Sequence, residues 1–412
     1  MKRFVLAYSG GLDTSVILKW LQVKHDVEVV TVTADFGQRF ELDGVREKAL
    51  ATGASLAFVE DLRDEFVRDY VWPTFKAGAL YQDQYPLATA IGRPLIARRL
   101  VEVARDVGAD AIVHGCTGKG NDQVRFEVSI AALAPDLERI APLRTWDLKT
   151  REAEIMWAKE HGVPVRATKD SPYSIDENLW GISIEAGPLE DPWVEPPHDC
   201  WQWTADPAAG LVKPESVTIG FEAGIPVSID GQVMDGVELI GVLNVLAGAH
   251  GVGRIDMVED RLVGIKSREI YEAPAAVTLH AARTALAQLT LDRQTRRVLA
   301  TMGQEFAQLV YDGLWFTPLR TAISGFVDHA VAPMTGEVQI KLHAGTATPV
   351  ARRSPNSLYD EALATYGEGD AFDHDAARGF IELFGQSAKV TNTALREAAL
   401  SFAISTVTAV DA

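Results

Sequence analysis

The chain has 412 residues, more than one hydrophobic core usually supports, so two domains and an appendage are expected. Its 47% apolar and 23% charged residues are those of a soluble globular protein, and a net charge of −18, with 39 basic residues against 57 acidic ones, argues against a nucleic-acid partner. No apolar stretch reaches bilayer length, Met1-Lys2-Arg3 runs straight into a strand pattern, and Cys116 and Cys200 form neither a metal nor a redox spacing; a cytoplasmic protein with no leader, membrane span or disulfide is expected.

The apolar run Phe4-Val5-Leu6-Ala7-Tyr8 leads into Ser9-Gly10-Gly11-Leu12-Asp13-Thr14-Ser15, after which Val16, Ile17, Trp20 and Leu21 share a helical face. Strand, glycine turn and helix in that order suit an anion. Two glycines let the backbone approach, three hydroxyls add donors, and the new helix presents free amides and its positive dipole end. An ordinary turn capped by Asp13 would need only one of those polar groups. Val27 to Val32 reads as a second strand, ending at Thr33-Ala34-Asp35-Phe36-Gly37, with a helix over Leu42 to Thr52 and a strand over Leu56 to Val59. Pro94 to Val107 is an amphipathic helix with proline in its first turn, and Ala111-Ile112-Val113 is a buried strand that stops at His114-Gly115. This alternation predicts a parallel sheet covered on both faces. Ligands of such sheets collect at the carboxyl ends of the strands, so Ser9 to Ser15, Ala34 to Gln38 and His114 to Asp122 are expected on one rim.

Composition changes after about Lys169. Ser171 to Pro214, rich in Pro and Trp, reads as an ordered loop crossing between domains. Val217, Ile219 and Phe221, a Glu222-Ala223-Gly224 turn, then Val227 and Ile229 follow hairpin grammar. Helices are expected over Gly236 to Ala249, Ala275 to Leu289 and Arg293 to Tyr311, and a strand over Val338 to Leu342. The whole is an α/β protein: an N-terminal parallel-sheet nucleotide-binding domain over 1–168, a second α+β domain over 169–360 with antiparallel strands, and a C-terminal helical arm over 361–412. In the arm Ala376, Phe380, Ile381 and Phe384 fall at helical spacing, a stripe to be buried against another subunit or within the same chain.

The first loop is neither a Walker loop nor a dinucleotide fingerprint. It resembles the pyrophosphate loop, Ser-Gly-Gly-x-Asp followed by Ser or Thr, of enzymes that split ATP between its α and β phosphates. In His114-Gly115-Cys116-Thr117-Gly118-Lys119-Gly120-Asn121-Asp122-Gln123-Val124-Arg125 a surface turn would explain the glycines alone. Asn121, Asp122 and Arg125 at a helix start suit an amino-acid ligand, Arg for its carboxylate and Asp for its ammonium.

With Ala34-Asp35-Phe36-Gly37-Gln38, with Ser171-Pro172-Tyr173-Ser174-Ile175-Asp176-Glu177-Asn178-Leu179-Trp180, and with Gly251 to Asp256 continuing into Ser267 to Glu272, the chain resembles the argininosuccinate synthase family over nearly its whole length. The resemblance implies an adenine nucleotide α-hydrolase-like first domain, a synthetase domain after it and a homotetramer. It implies a reaction that joins L-citrulline and L-aspartate at the expense of ATP, with Mg²⁺, releasing AMP and pyrophosphate. By position it assigns Ala7, Tyr8, Ser9, Gly10, Gly11, Leu12, Asp13, Thr14, Ser15, Ala34 and Gly115 to ATP. Thr117, Asn121 and Asp122 fall to aspartate, and Tyr85, Asn121, Arg125, Ser174, Ser183, Glu259 and Tyr271 to citrulline. Ser9, Asp13 and Asp122 are the residues expected to carry the chemistry, Asp13 through Mg²⁺, with no side chain singled out as a metal ligand otherwise. One departure is visible: where many members place a serine hydroxyl against citrulline this chain has Ala90, with Thr89 beside it.

Taken singly, Ser174 reads as a turn cap, Glu259 as one charge of a solvated cluster and Tyr271 as a packing residue. A tRNA-modifying ligase of the pyrophosphate-loop group is the nearest rival, but such enzymes generally need a reactive cysteine pair and a basic face. A nucleotide-binding regulator without chemistry is the other, and it has no need of two amino-acid pockets.

Overall fold

The structure, a computed structural model, describes residues 1–39, 42, 44–148, 150–164, 172–209 and 213–408, with only the backbone over 400–408. Met1–Leu358 form one compact unit and Tyr359–Ala412 another. Asp43, Ser171 and the expected boundary between 168 and 169 lie outside the described residues.

The first unit opens with β1 (Arg3–Ala7), β2 (Glu28–Asp35), β3 (Leu56–Asp61), β4 (Ala111–Val113) and β5 (Glu138–Ile140). They form a parallel sheet in the order β3-β2-β1-β4-β5. Because strand side chains alternate, β1 serves two cores. Phe4 and Leu6 pack with Val16, Ile17 and Leu21 of α1 (Leu12–His25) and Val45 of α2 (Val45–Thr52), while Val5 packs from the other face. The helix expected from Leu42 begins at Val45, after Gly44 at φ +79°. A short helical run follows: α3 (Arg63–Phe66), a π-helical turn Val67–Val71 and α4 (Trp72–Ala77).

The helix α5 (Ala88–Asp106) covers the second face of the sheet with α6 (Asp122–Leu133), and α7 (Pro142–Thr145) and α8 (Arg151–Glu160) follow β5. Pro94 was expected in a first turn and instead lies inside α5. A proline in a helix interior costs about 3 kcal/mol. The turn it joins buries Ile91 and Leu95 completely, each worth about 1.5–3 kcal/mol, so packing outweighs the lost backbone bond.

The remainder of the unit is antiparallel, as expected. Its strands are β6 (Ser174–Asn178), β7 (Gly181–Glu185), β8 (Glu215–Glu222), β9 (Ile225–Ile229), β10 (Gln232–Val233), β11 (Arg254–Asp260), β12 (Lys266–Glu272), β13 (Gly336–His343) and β14 (Thr346–Arg353). They form two sheets, β10-β9-β8-β13-β14 and β11-β12-β7-β6. Between β8 and β9, Ala223 at φ +46° and Gly224 at φ +82° make the two-residue left-handed turn that matches strand twist. The segment expected as loop from Ser171 to Pro214 holds the β6–β7 hairpin. Its first strand, Ser-Ile-Asp-Glu-Asn, has no apolar alternation to betray it, yet Glu177 and Asn178 are buried where α5 packs on it. The helices α9 (Gly236–Ala249), α10 (Pro274–Thr290), α11 (Arg293–Tyr311) and α12 (Pro318–Ala330) complete the unit, α10 lying on β13 and β14.

The second unit contains α13 (Glu361–Ala364) and α14 (His374–Thr408), on which Phe380, Ile381, Leu383 and Phe384 are exposed. Among the described residues no helix is long and apolar enough to cross a membrane.

Candidate active site

The chain leaves β1 toward β2 on one side and returns to β4 on the other, which opens a crevice between the carboxyl ends of β1 and β4. A cavity of about 370 Å³ occupies it. All three expected rim segments contribute: Ala7, Tyr8, Ser9 and Thr14 from the first, Ala34 and Gln38 from the second, His114, Gly115 and Asp122 from the third. The opposite wall comes from α5 and β6, through Arg93, Asp176 and Glu177.

The loop after β1 is held open by its own hydroxyls. Ser9 Oγ lies 3.1 Å from Thr14 Oγ1 and accepts from the Gly11 amide at 3.3 Å, and Ser15 donates to the Gly11 carbonyl at 2.7 Å. Tyr8 Oη is 3.0 Å from Ser15 Oγ. Gly10 sits at φ +76°, where a Cβ would also meet Val45 at 3.3 Å. Gly115 faces the loop from β4, and a Cβ there would sit 3.3 Å from Thr14. The ammonium of Lys48 in α2 donates to the Gly10 carbonyl and brings a cation to the loop.

Asp13 lies in the first turn of α1, outside the lining of the cavity, with its charge close to Glu154 of α8. Glu154 is 7% exposed, and among the described residues its Oε2 is buried without a hydrogen-bond partner. Burial first, then the Asp13 charge, push the Glu154 carboxyl up to about 8.

Asp122 opens α6 at the floor of the cavity and accepts from Arg93 at 2.8 Å and from Arg125 at 3.0 Å. Burial would raise its carboxyl, but the two guanidinium charges outweigh that and hold it below the usual carboxylate range. Arg93 also pairs with Asp176 of β6.

Behind Asp122 lies a buried polar network. Glu259 of β11, 2% exposed, accepts from Tyr271 at 2.7 Å and from Tyr311 at 2.5 Å. Tyr311 in turn accepts from Asn121 Nδ2 at 2.8 Å, and Asn121 Oδ1 accepts from the Leu262 amide at 2.9 Å. Arg125 donates to the Tyr311 carbonyl at 2.9 Å and stacks its guanidinium on that ring. Tyr85 stacks on Tyr271 at 4.0 Å, and its hydroxyl is 2.7 Å from Thr89 Oγ1. Burial, followed by neighbouring acidic groups, pushes the Tyr271 phenol well above its ordinary value, so the network is held neutral at Tyr271.

The structure thus brings together Tyr85, Asn121, Asp122, Arg125, Glu259 and Tyr271. Ser183 reaches the Asp176 carbonyl only at 3.5 Å, Ser174 and Thr117 are exposed, and Ala90 is fully buried with its methyl inside the core. Sequence reasoning missed Lys48, Arg93, Glu154, Asp176 and Tyr311. Asp176 stood inside a motif already quoted, whereas nothing in the local spacing of the other four marks them.

A parallel sheet with a glycine loop and a polar cavity at its switch point defines an α/β protein of the nucleotide-binding class. Residues 3–164 match the Arginosuccinate synthase N-terminal HUP domain and residues 173–391 the Arginosuccinate synthase C-terminal domain. The argininosuccinate synthase of Chlorobaculum tepidum is 55% identical over 94% of this chain and 97% of its own length; that of Chlorobium phaeobacteroides is 54% identical over 94% and 97%. The chain belongs to the argininosuccinate synthase family and is accordingly an enzyme of the ligase kind, acting on small molecules.

Proposed function

We propose that the protein joins L-citrulline and L-aspartate to argininosuccinate in arginine biosynthesis, consuming ATP and releasing AMP and pyrophosphate. The observation that carries this reading is the junction at Asp122, where the nucleotide-side cavity meets the polar network of Asn121, Arg125, Tyr311 and Glu259. The ureido oxygen of citrulline attacks the α-phosphorus, pyrophosphate departs, and a citrullyl-AMP forms. The α-amine of aspartate then attacks the activated carbon and expels AMP. No residue forms a covalent bond, and rate comes from positioning and charge stabilisation.

In this reading Ser9 to Ser15, supported by Lys48, receives the pyrophosphate, with Ala7, Tyr8, Ala34 and Gly115 around the nucleotide. Asp122, with Asn121 and Thr117, takes the ammonium and carboxylate of aspartate. Arg125, Tyr85, Glu259 and Tyr271 orient the citrulline zwitterion, with Ser174 and Ser183 at its edge. Magnesium binds proteins through one or two carboxylates plus substrate phosphates, and Asp13, the carboxylate of the Ser9 to Ser15 loop, would be the residue to hold it. When bound, Mg²⁺ neutralises charge on the phosphates.

Exchange of labelled pyrophosphate into ATP tests the reading. Exchange is expected with citrulline and not with aspartate alone; exchange with neither refutes it. A cytoplasmic homotetramer belongs to the same proposal, supported by the exposed stripe of α14. Truncation after Asp370 is expected to lower the oligomer size by gel filtration, and an unchanged size refutes the arm.

A further inference from the structure

A second cavity, of about 260 Å³, opens between the end of α4, α10 and the start of α11. Arg283 of α10 lines it and is only 8% exposed. Its Nε and Nη2 both donate to the Lys76 carbonyl, at 3.2 and 2.6 Å, and among the described residues Nη1 has no hydrogen-bond partner. A carbonyl satisfies donors but carries no net charge. No carboxylate pairs with Arg283 among the described residues, and burial, with nothing to offset it, pushes this guanidinium down to about 10. His280, one turn earlier, brings no counter-charge: burial and then the Arg283 cation push it down to about 3, so it is neutral.

Buried cations are ordinarily paired, because an uncompensated charge removed from water is costly. Here the missing partner has a place. Arg296, exposed in the first turn of α11 and without an ion pair among the described residues, lines the same cavity. Two arginines therefore line one small space, and the planar guanidinium fork of each matches the oxygens of a carboxylate or phosphate. Asp83, to which Gln304 donates at 3.5 Å, is the acidic residue on the rim and works against an anion. We propose that this cavity binds a small oxyanion, a carboxylate or phosphate group held between Arg283 and Arg296. The site lies outside the catalytic cavity and shares no lining residue with it.

Calorimetric titration of the full chain with inorganic phosphate and, separately, with succinate tests the proposal. Heat from phosphate at the glycine loop is common to wild type and variants and cancels between them. One equivalent per chain is expected to weaken tenfold or more in Arg296→Gln, to vanish in Arg283→Gln and to tighten severalfold in Asp83→Asn. If Arg283→Gln does not fold, the other two substitutions decide. Preference for phosphate assigns the site to phosphate esters, and preference for succinate assigns it to carboxylates. Identical isotherms for wild type, Arg296→Gln and Asp83→Asn with both anions overturn it.

Discussion

Glu154→Gln isolates the carboxyl that sits against Asp13. An ordinary glutamate of 4.5 is pushed up to about 8 in the folded chain, so between those values the folded protein keeps a proton that the unfolded one has released. Stability then falls as pH rises, by about 1.4 kcal/mol per unit, and stops falling once pH passes the folded value. From pH 5 to pH 7 this one group removes on the order of 2 kcal/mol from the wild type. Glutamine fills nearly the same volume and does not titrate, so its variant lacks this slope. Guanidinium denaturation of both proteins at pH 5, 6, 7 and 8, followed by circular dichroism, gives the difference directly. The gap between them is expected to grow in favour of Glu154→Gln up to about pH 8. Parallel stability curves refute the argument, since they mean that Glu154 ionises alike in folded and unfolded chains.

Asp13→Asn is expected to lower turnover far more than it weakens citrulline binding, measured by steady-state rates beside direct titration; unchanged turnover refutes its role. Gly10→Ala places a Cβ at φ +76° and 3.3 Å from Val45, for a cost of about 1–2 kcal/mol seen as a lowered denaturation midpoint. Tyr311→Phe strips the hydroxyl shared by Asn121 and Glu259 and is expected to cost about 1–3 kcal/mol of stability. It is also expected to raise KM for citrulline more than it lowers kcat, and an unaltered KM argues against the network as a substrate support.

Backbone chemistry is legible in a sequence because it is local. The glycine loop was readable from seven residues, and the limits of α9 and α11 from apolar spacing alone. Fold elements failed where a segment's burial comes from elsewhere. β6 is polar throughout, and α5 runs through a proline because a distant surface covers it. The site divides in the same way. Asp122 and Arg125 stand three residues apart on one helix, but Asn121 meets Tyr311 across 190 positions and Arg93 meets Asp176 across 83. Such pairs exist only after the chain has packed, and no spacing rule addresses them. Glu154 likewise looks like one more acid in a helix's first turn until α8 lies against α1.

Arg93 grips two carboxylates from distant parts of the chain, Asp122 at the start of α6 and Asp176 on β6. A ligand ammonium that claims Asp122 competes with that guanidinium. Linkage makes the exchange mutual: whatever weakens the Arg93–Asp122 contact must strengthen a ligand ammonium's hold on Asp122, and the reverse. Under the proposed function, Arg93 is therefore the group released when the amine-bearing substrate takes Asp122.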